Sequence, residues 1–271
     1  MRSIFTFKLL QVFNFRLLAF FLKNAKKQPL TCDVTKLSNR LFMQKTDEAI
    51  SRPKVILLDV FGTLLDLSQV ERRVNLLLDS RRAYVKWFDL FMQYCFVDNC
   101  TDQFHDFSSI GKATMQMTAQ LFDKTVNDNE INNVLDLYRH LPLKDGAQEG
   151  LSLLKDHGFR IVALTNWPEK TVFERMERTG LISYFEMVLS AELVKKYKPC
   201  ADVYHWAANK VGTAQQEILL VSTHPWDIAG AANAGMQTAY IEREKQMLYP
   251  LAPNPTFTSG NLEKLANRLG W

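Results

Sequence analysis

From Lys54 onward, short continuous apolar runs alternate with stretches of helical periodicity. Runs such as Val55–Leu58 and Ile218–Val221 lack the polar alternation of a half-exposed strand, so they read as strands covered on both faces. The predicted order is strand 55–59, a long insertion, helix near 146–157, strand 160–165, helix 169–179 and strand about 186–190. Helix 200–211, strand 218–222, helix 227–235 and strand 238–241 follow. Gly158, Gly180 and Gly235 fall where helices should stop. Strands that alternate with helices in this way predict an α/β fold, a doubly wound parallel sheet.

Between Asp66 and about Pro142 no strand-like run occurs. That stretch has helical periodicity rich in aromatics: Tyr84, Trp87, Phe88, Phe91, Tyr94 and Phe96. It predicts an inserted all-helical cap, whose aromatic stripe serves either a substrate lid or plain helix packing. The expected division is a core of residues 54–66 and 142–271, a cap of 67–141 and an extension of 1–42.

Polar groups punctuate the strand ends. Asp59 closes the first apolar run and precedes Gly62 and Thr63; Thr165 and Asn166 close the second. Lys198 stands before Pro199, a residue suited to the first turn of a helix. Val221-Ser-Thr-His-Pro-Trp-Asp227 follows a later strand. A carboxylate at the carboxyl end of a parallel strand lies where open α/β sheets bind ligands. There it serves as a nucleophile, holds a metal, or merely caps the next element. The set converges only if its strands lie side by side.

These ordered motifs, over roughly residues 54–270, resemble those of the haloacid dehalogenase-like hydrolases. The resemblance implies a Rossmann-like core with a helical cap and Asp59 as the nucleophile of a covalent intermediate. Phosphatases of that family carry a second aspartate two residues on, as leaving-group acid; here that place is Phe61, which transfers no proton. Halide leaves without a proton, and Asp-Val-Phe-Gly-Thr-Leu resembles the L-2-haloacid dehalogenase branch. Phosphatase members also bind magnesium through acids in the fourth motif, where this chain has Val221-Ser222 and only Asp227. The site is therefore expected to be metal-independent, with no cofactor; magnesium belongs to the phosphatase alternative.

By the same resemblance, Thr63 holds the nucleophile in line and Lys198 pairs with it. Ser222, Tyr204 and Asp227 complete the polar network and help place the hydrolytic water, Tyr204 from the substrate's side, while Thr165 and Asn166 bind the substrate carboxylate or the departing halide. His224 replaces an asparagine and is either a hydrogen-bonding loop residue or a titratable group acting on the hydrolytic water. In the L-2-haloacid dehalogenases a cap arginine, between a tryptophan and a tyrosine, grips the substrate carboxylate. Trp87 and Tyr94 keep that spacing, but Phe88 stands in the arginine's place. Arg81, Arg82 and Lys86 are the candidate substitutes from neighbouring turns.

Composition narrows the picture further. Of the 271 residues, the first 42 hold eight Lys or Arg against one acid, which leaves 25 basic and 28 acidic side chains in the rest. The body is not basic, so no nucleic-acid partner is expected. Cys32, Cys95, Cys100 and Cys200 form no C-x-x-C or metal spacing, as in a reduced cytoplasmic protein. Ile4–Leu22 is mostly apolar but contains Lys8 and Arg16, which are costly inside a bilayer. A mitochondrial-type transit segment, a membrane-surface anchor and an extension upstream of a start at Met43 all fit it; for the body, membrane association is not expected. The expected partner is a small-molecule substrate, with a homodimer through the aromatic cap as the other candidate. The expected function is hydrolytic dehalogenation of a small 2-haloacid or related compound. The alternatives are a phosphatase on small phosphate compounds and a catalytically weak ligand-binding protein.

Overall fold

The computed structural model describes residues 51–244 and 246–270, so the expectations for residues 1–42, Met43 and Cys32 lie outside it. Six parallel strands form one sheet in the order β3-β2-β1-β4-β5-β6. They are β1 Val55–Leu58, β2 Arg160–Thr165, β3 Met187–Ser190, β4 Ile218–Ser222, β5 Gln237–Ile241 and β6 Phe257–Ser259. The twofold side-chain period of a strand sends alternate residues to opposite faces. Ile56, Leu58, Ile161, Ala163, Leu219 and Val221 join one core. Val55, Leu57, Val162, Leu164, Ile218 and Leu220 join the other. Two buried faces leave no polar side of these strands, which is why the runs are continuously apolar.

Helices α5 Ala147–Asp156, α6 Glu169–Arg178 and α9 Leu262–Leu269 cover the first face through residues such as Leu151, Val172 and Leu265. Helices α7 Ala201–Val211 and α8 Pro225–Asn233 cover the second, through Val203, Ala207 and Ala231. The doubly wound sheet is thus as the pattern predicts. Two elements escape that pattern, β6 and α9. Helix α8 also begins two residues early, at Pro225, because proline suits the first helical position. Pro199 departs in the other direction. Cys200 is the N-cap of α7, so the proline precedes the helix instead of opening it.

Four helices lie between β1 and α5: α1 Ser68–Leu77, α2 Ala83–Thr101, α3 Phe107–Leu121 and α4 Asp128–Asp136. Side chains fix the starts of the last two: Asp106 accepts from the Ser109 N–H, and Asn127 and Glu130 form a capping box. Trp87 and Phe91 are buried between α2 and α3; the Trp87 indole donates to the Gly111 carbonyl at 3.0 Å, and Phe91 lies 4.3 Å from Phe107. The chain enters and leaves this helical cap side by side. Leu65 bridges Leu143, the Asp66 N–H donates to the Pro142 carbonyl, and the Lys144 N–H donates to the Leu64 carbonyl, each bond 2.9 Å.

Candidate active site

Register brings the polar strand ends together. Leu58 pairs with Ala163 on one side and Val221 on the other, so Asp59, Leu164 and Ser222 follow at one level. Strand order reverses direction between β1 and β4, the point at which such sheets open a crevice at their carboxyl ends. Asp59 lies just past the end of β1, and its N–H still donates to the Val221 carbonyl at 3.0 Å. The turn beyond it depends on Gly62, whose φ is +84°; any Cβ there would also collide with the Arg243 guanidinium, which donates to the Gly62 carbonyl at 2.7 Å.

Both carboxylate oxygens of Asp59 are held. Thr63 Oγ1 donates to Oδ2 at 2.7 Å and accepts from the Thr223 N–H at 3.1 Å, which directs its own proton to Asp59. Lys198 Nζ donates to Oδ1 at 2.9 Å. The same ammonium reaches Asp227 Oδ2 at 2.8 Å and the Leu164 carbonyl at 3.0 Å, which uses its three N–H donors. Burial alone would raise the Asp59 carboxyl, but Lys198, His224 and the Thr63 bond together hold it below the usual carboxylate range. Burial would likewise lower the Lys198 ammonium, and the two aspartates outweigh it, so it is held above the ordinary lysine value. The pair stays ionised.

Lys198 is placed by its neighbours. Asn166 Oδ1 accepts its N–H at 2.8 Å, and Asn166 Nδ2 donates to its carbonyl at 3.3 Å. Behind Asp227, the Tyr204 hydroxyl donates to Oδ1 at 2.6 Å. Gly230 lets α8 come this close; a Cβ there would lie 2.5 Å from Pro199 Cβ and 2.8 Å from the Tyr204 hydroxyl. Ser222 Oγ accepts the His224 N–H at 3.1 Å and so shapes the turn beneath that ring. His224 lies with its ring 5.9 Å from Phe88 and 5.0 Å from Trp226, stacked on both. Its Nε2 is 3.0 Å from the Phe61 carbonyl and 3.5 Å from Asp59 Oδ2. A carbonyl only accepts, so Nε2 carries the proton. Burial holds the His224 pKa below the ordinary histidine value, against the pull of Asp59.

A cavity of about 30 Å³ opens over Asp59, space for roughly two water molecules. Asp59, Thr165, Asn166, Lys198 and His224 line it, as does Phe88 from the cap. Thr63, Tyr204, Ser222 and Asp227 do not line it; they support it from behind. Tyr204, expected at the substrate, instead anchors Asp227, because its ring is fully buried among the residues between α7 and the sheet. Asn166, also expected to bind substrate, has both ends of its amide engaged with the Lys198 backbone. Arg81, Arg82 and Lys86 are solvent-exposed and none lines the cavity, so the helix holding Phe88 turns no cation inward. The remaining wall is Phe61, Leu67, Phe91, Met92, Phe107, Tyr138, Trp167 and Trp226. Sequence reasoning passed over Tyr138, Trp167 and Thr223. Trp167 follows Thr165 and Asn166 directly at a strand end, which was the available signal; Tyr138 has none, since a single 3₁₀ turn, Leu137–Arg139, sets its aim.

The donor set does not suit magnesium. Asp59 and Asp227 share an ammonium where a cation would lie, and no acid flanks Asp59 at Phe61. Among the described residues no cluster of three His, Cys, Asp or Glu side chains has a metal-binding arrangement, and no helix is long and apolar enough to cross a membrane.

A family model for haloacid dehalogenase-like hydrolases matches residues 53–235. An (S)-2-haloacid dehalogenase from Pseudomonas fluorescens is 22% identical over 213 residues, 78% of this chain and 94% of that enzyme. An (S)-2-haloacid dehalogenase 4A from Burkholderia cepacia is 26% identical over 188 residues, 69% of this chain and 81% of that one. Among solved structures, an L-2-haloacid dehalogenase from Xanthobacter autotrophicus with chloropropionic acid covalently bound superposes with a TM-score of 0.73 at 19% identity. That match covers 79% of this chain and 97% of the other.

Proposed function

The chain belongs to the haloacid dehalogenase-like hydrolases, and from that premise we propose that it removes halide from a small organic halide through a covalent ester on Asp59. The substrate is a 2-haloacid, as in the names of its relatives, or a compound of similar size. The observation that carries this reading is the pair Asp59 and Phe61: an ionised, fully held, buried carboxylate at the cavity, with no acid where a poor leaving group would need one.

In the first step an Asp59 oxygen attacks the halogen-bearing carbon. The carbon–oxygen bond forms as the carbon–halogen bond breaks, and halide departs with the bonding electrons. Thr63 and Lys198 keep the carboxylate aimed, and Lys198 offsets its charge before the step. In the second step water adds to the Asp59 carboxyl carbon. Of the groups lining the cavity, His224 is the neutral base: Nε2 donates to Phe61, so Nδ1 has the free lone pair that takes the water proton. Collapse of the adduct frees the product oxygen, which takes up that proton, and regenerates Asp59. The sum is halide plus water giving alcohol, halide ion and a proton. Asp227, pinned by Lys198 and Tyr204, serves as the anchor of this network.

Halide release from 2-chloropropionate and chloroacetamide, measured without added metal beside the Asp59→Asn variant, tests this reading. Release by the parent alone supports it. Equal release by the variant, or phosphate release from small esters that EDTA abolishes, would overturn it.

A further inference from the structure

The buried charges of this site select its substrate. Two carboxylates, Asp59 and Asp227, surround one ammonium, Lys198, so the cluster is left with one negative charge. All three Lys198 donors are engaged within the protein, and none remains for a substrate anion. His224 is neutral. The facing wall is aromatic and apolar, and Phe88 is one of the cap residues that form it, with Leu67, Phe91, Met92, Phe107 and Tyr138. Arg243, the cation behind the Gly62 turn, donates to that carbonyl and does not line the cavity. A carboxylate brought here would lose its hydration, meet among the described residues no cation with a free donor, and face a net negative cluster. An uncharged molecule of the same size loses little against this largely aromatic and apolar wall.

Resting on the dehalogenation reading above, we propose that this site takes small uncharged organic halides, such as halo-amides or halo-alcohols, and that Phe88 sets that preference against halo-carboxylates. The cavity volume restricts such substrates to a few heavy atoms unless the cap shifts outward.

Chloroacetamide and chloroacetate are nearly equal in size and differ in charge, so their ratio of kcat/KM for chloride release isolates the effect. Release by the Asp59→Asn variant is subtracted, since Cys95, Cys100 and Cys200 are free and alkylation of thiols also liberates chloride. The expected ratio favours the amide by at least about tenfold, the usual penalty for leaving a charge unpaired in such a site. In Phe88→Arg, whose guanidinium would meet a carboxylate, the preference reverses. A parent enzyme that prefers chloroacetate would overturn this inference while the dehalogenation reading stands. A folded Phe88→Arg variant that keeps the amide preference would overturn the role of Phe88. Release from neither compound, by parent or variant, would overturn the inference and the reading together.

Discussion

Asn99 and Tyr197 exchange two hydrogen bonds of 2.8 Å across the seam between cap and core: Asn99 Nδ2 donates to the Tyr197 carbonyl, and the Tyr197 N–H donates to Asn99 Oδ1. The next residue is Lys198, which Asn166 grips in the same two-way manner from the core side. The backbone that carries Lys198 is thus held by an asparagine from each part of the molecule, and seating the cap also seats Lys198.

Asn99→Ala leaves the partly buried Tyr197 N–H without a partner and leaves its carbonyl only the Cys200 N–H. The expected cost is about 1–3 kcal/mol in stability, together with reduced turnover. Denaturant unfolding should show a lower midpoint at unchanged slope. An unaltered midpoint would mean that the seam is held elsewhere.

Lys198→Met leaves Asp59 and Asp227 buried together without their shared cation. Breaking such a pair costs about 3–5 kcal/mol. Asp59 would then lose the main interaction that offsets burial, its carboxyl would rise, and halide release should fall below detection. In the parent, the stabilisation from the depressed Asp59 value is present above the ordinary carboxyl range. It is lost as pH falls through the folded value, and the variant should lack that part of the acid unfolding profile. A variant with parental stability would contradict the reading of the cluster as a buried ion network.

His224 gives a pH signature. Its ring lies between Phe88 and Trp226, with Asp59 and the Phe61 carbonyl at its Nε2 edge and Arg243 adding to the depression that burial causes. As a neutral base it should keep turnover level through neutral pH, with a fall only below about 6.5, the ordinary histidine value. The unfolded chain takes up this proton first, so stability also declines as pH drops from that value to the depressed folded one. His224→Asn retains a donor for Phe61 but accepts no proton; turnover should drop about a hundredfold and the acid limb should disappear. Unchanged turnover in that variant would reduce His224 to a hydrogen-bonding loop residue.

The central strands were legible because burial on both faces makes them continuously apolar, and the glycines at 158, 180 and 235 marked the helix ends. Strand β6 was not, being three residues with Thr258 exposed, at the sheet edge after a loop containing Pro250, Pro253 and Pro255. Helix α9 did carry a signal, Leu262, Leu265, Ala266 and Leu269 on one stripe behind an Asn261 cap. In the site, each strand-end polar residue was legible, but its direction was not. Tyr204 and Asn166 are turned to Asp227 and Lys198 by long-range packing, over 23 and 32 residues of chain, which no local pattern encodes. The same holds for Arg81, Arg82 and Lys86, whose exposure follows from the rotation of α2 set by Trp87 and Phe91.

The covalent role of Asp59 is the claim on which the rest depends. A single turnover in oxygen-18 water, with enzyme in excess over a small organic halide, reads it directly by peptide mass. With Asp59 as the nucleophile, the peptide containing it gains the heavy oxygen while the alcohol formed carries ordinary oxygen taken from that carboxylate. Heavy oxygen found in the alcohol, with the Asp59 peptide unlabelled, would mean that water attacks the substrate directly and would contradict it.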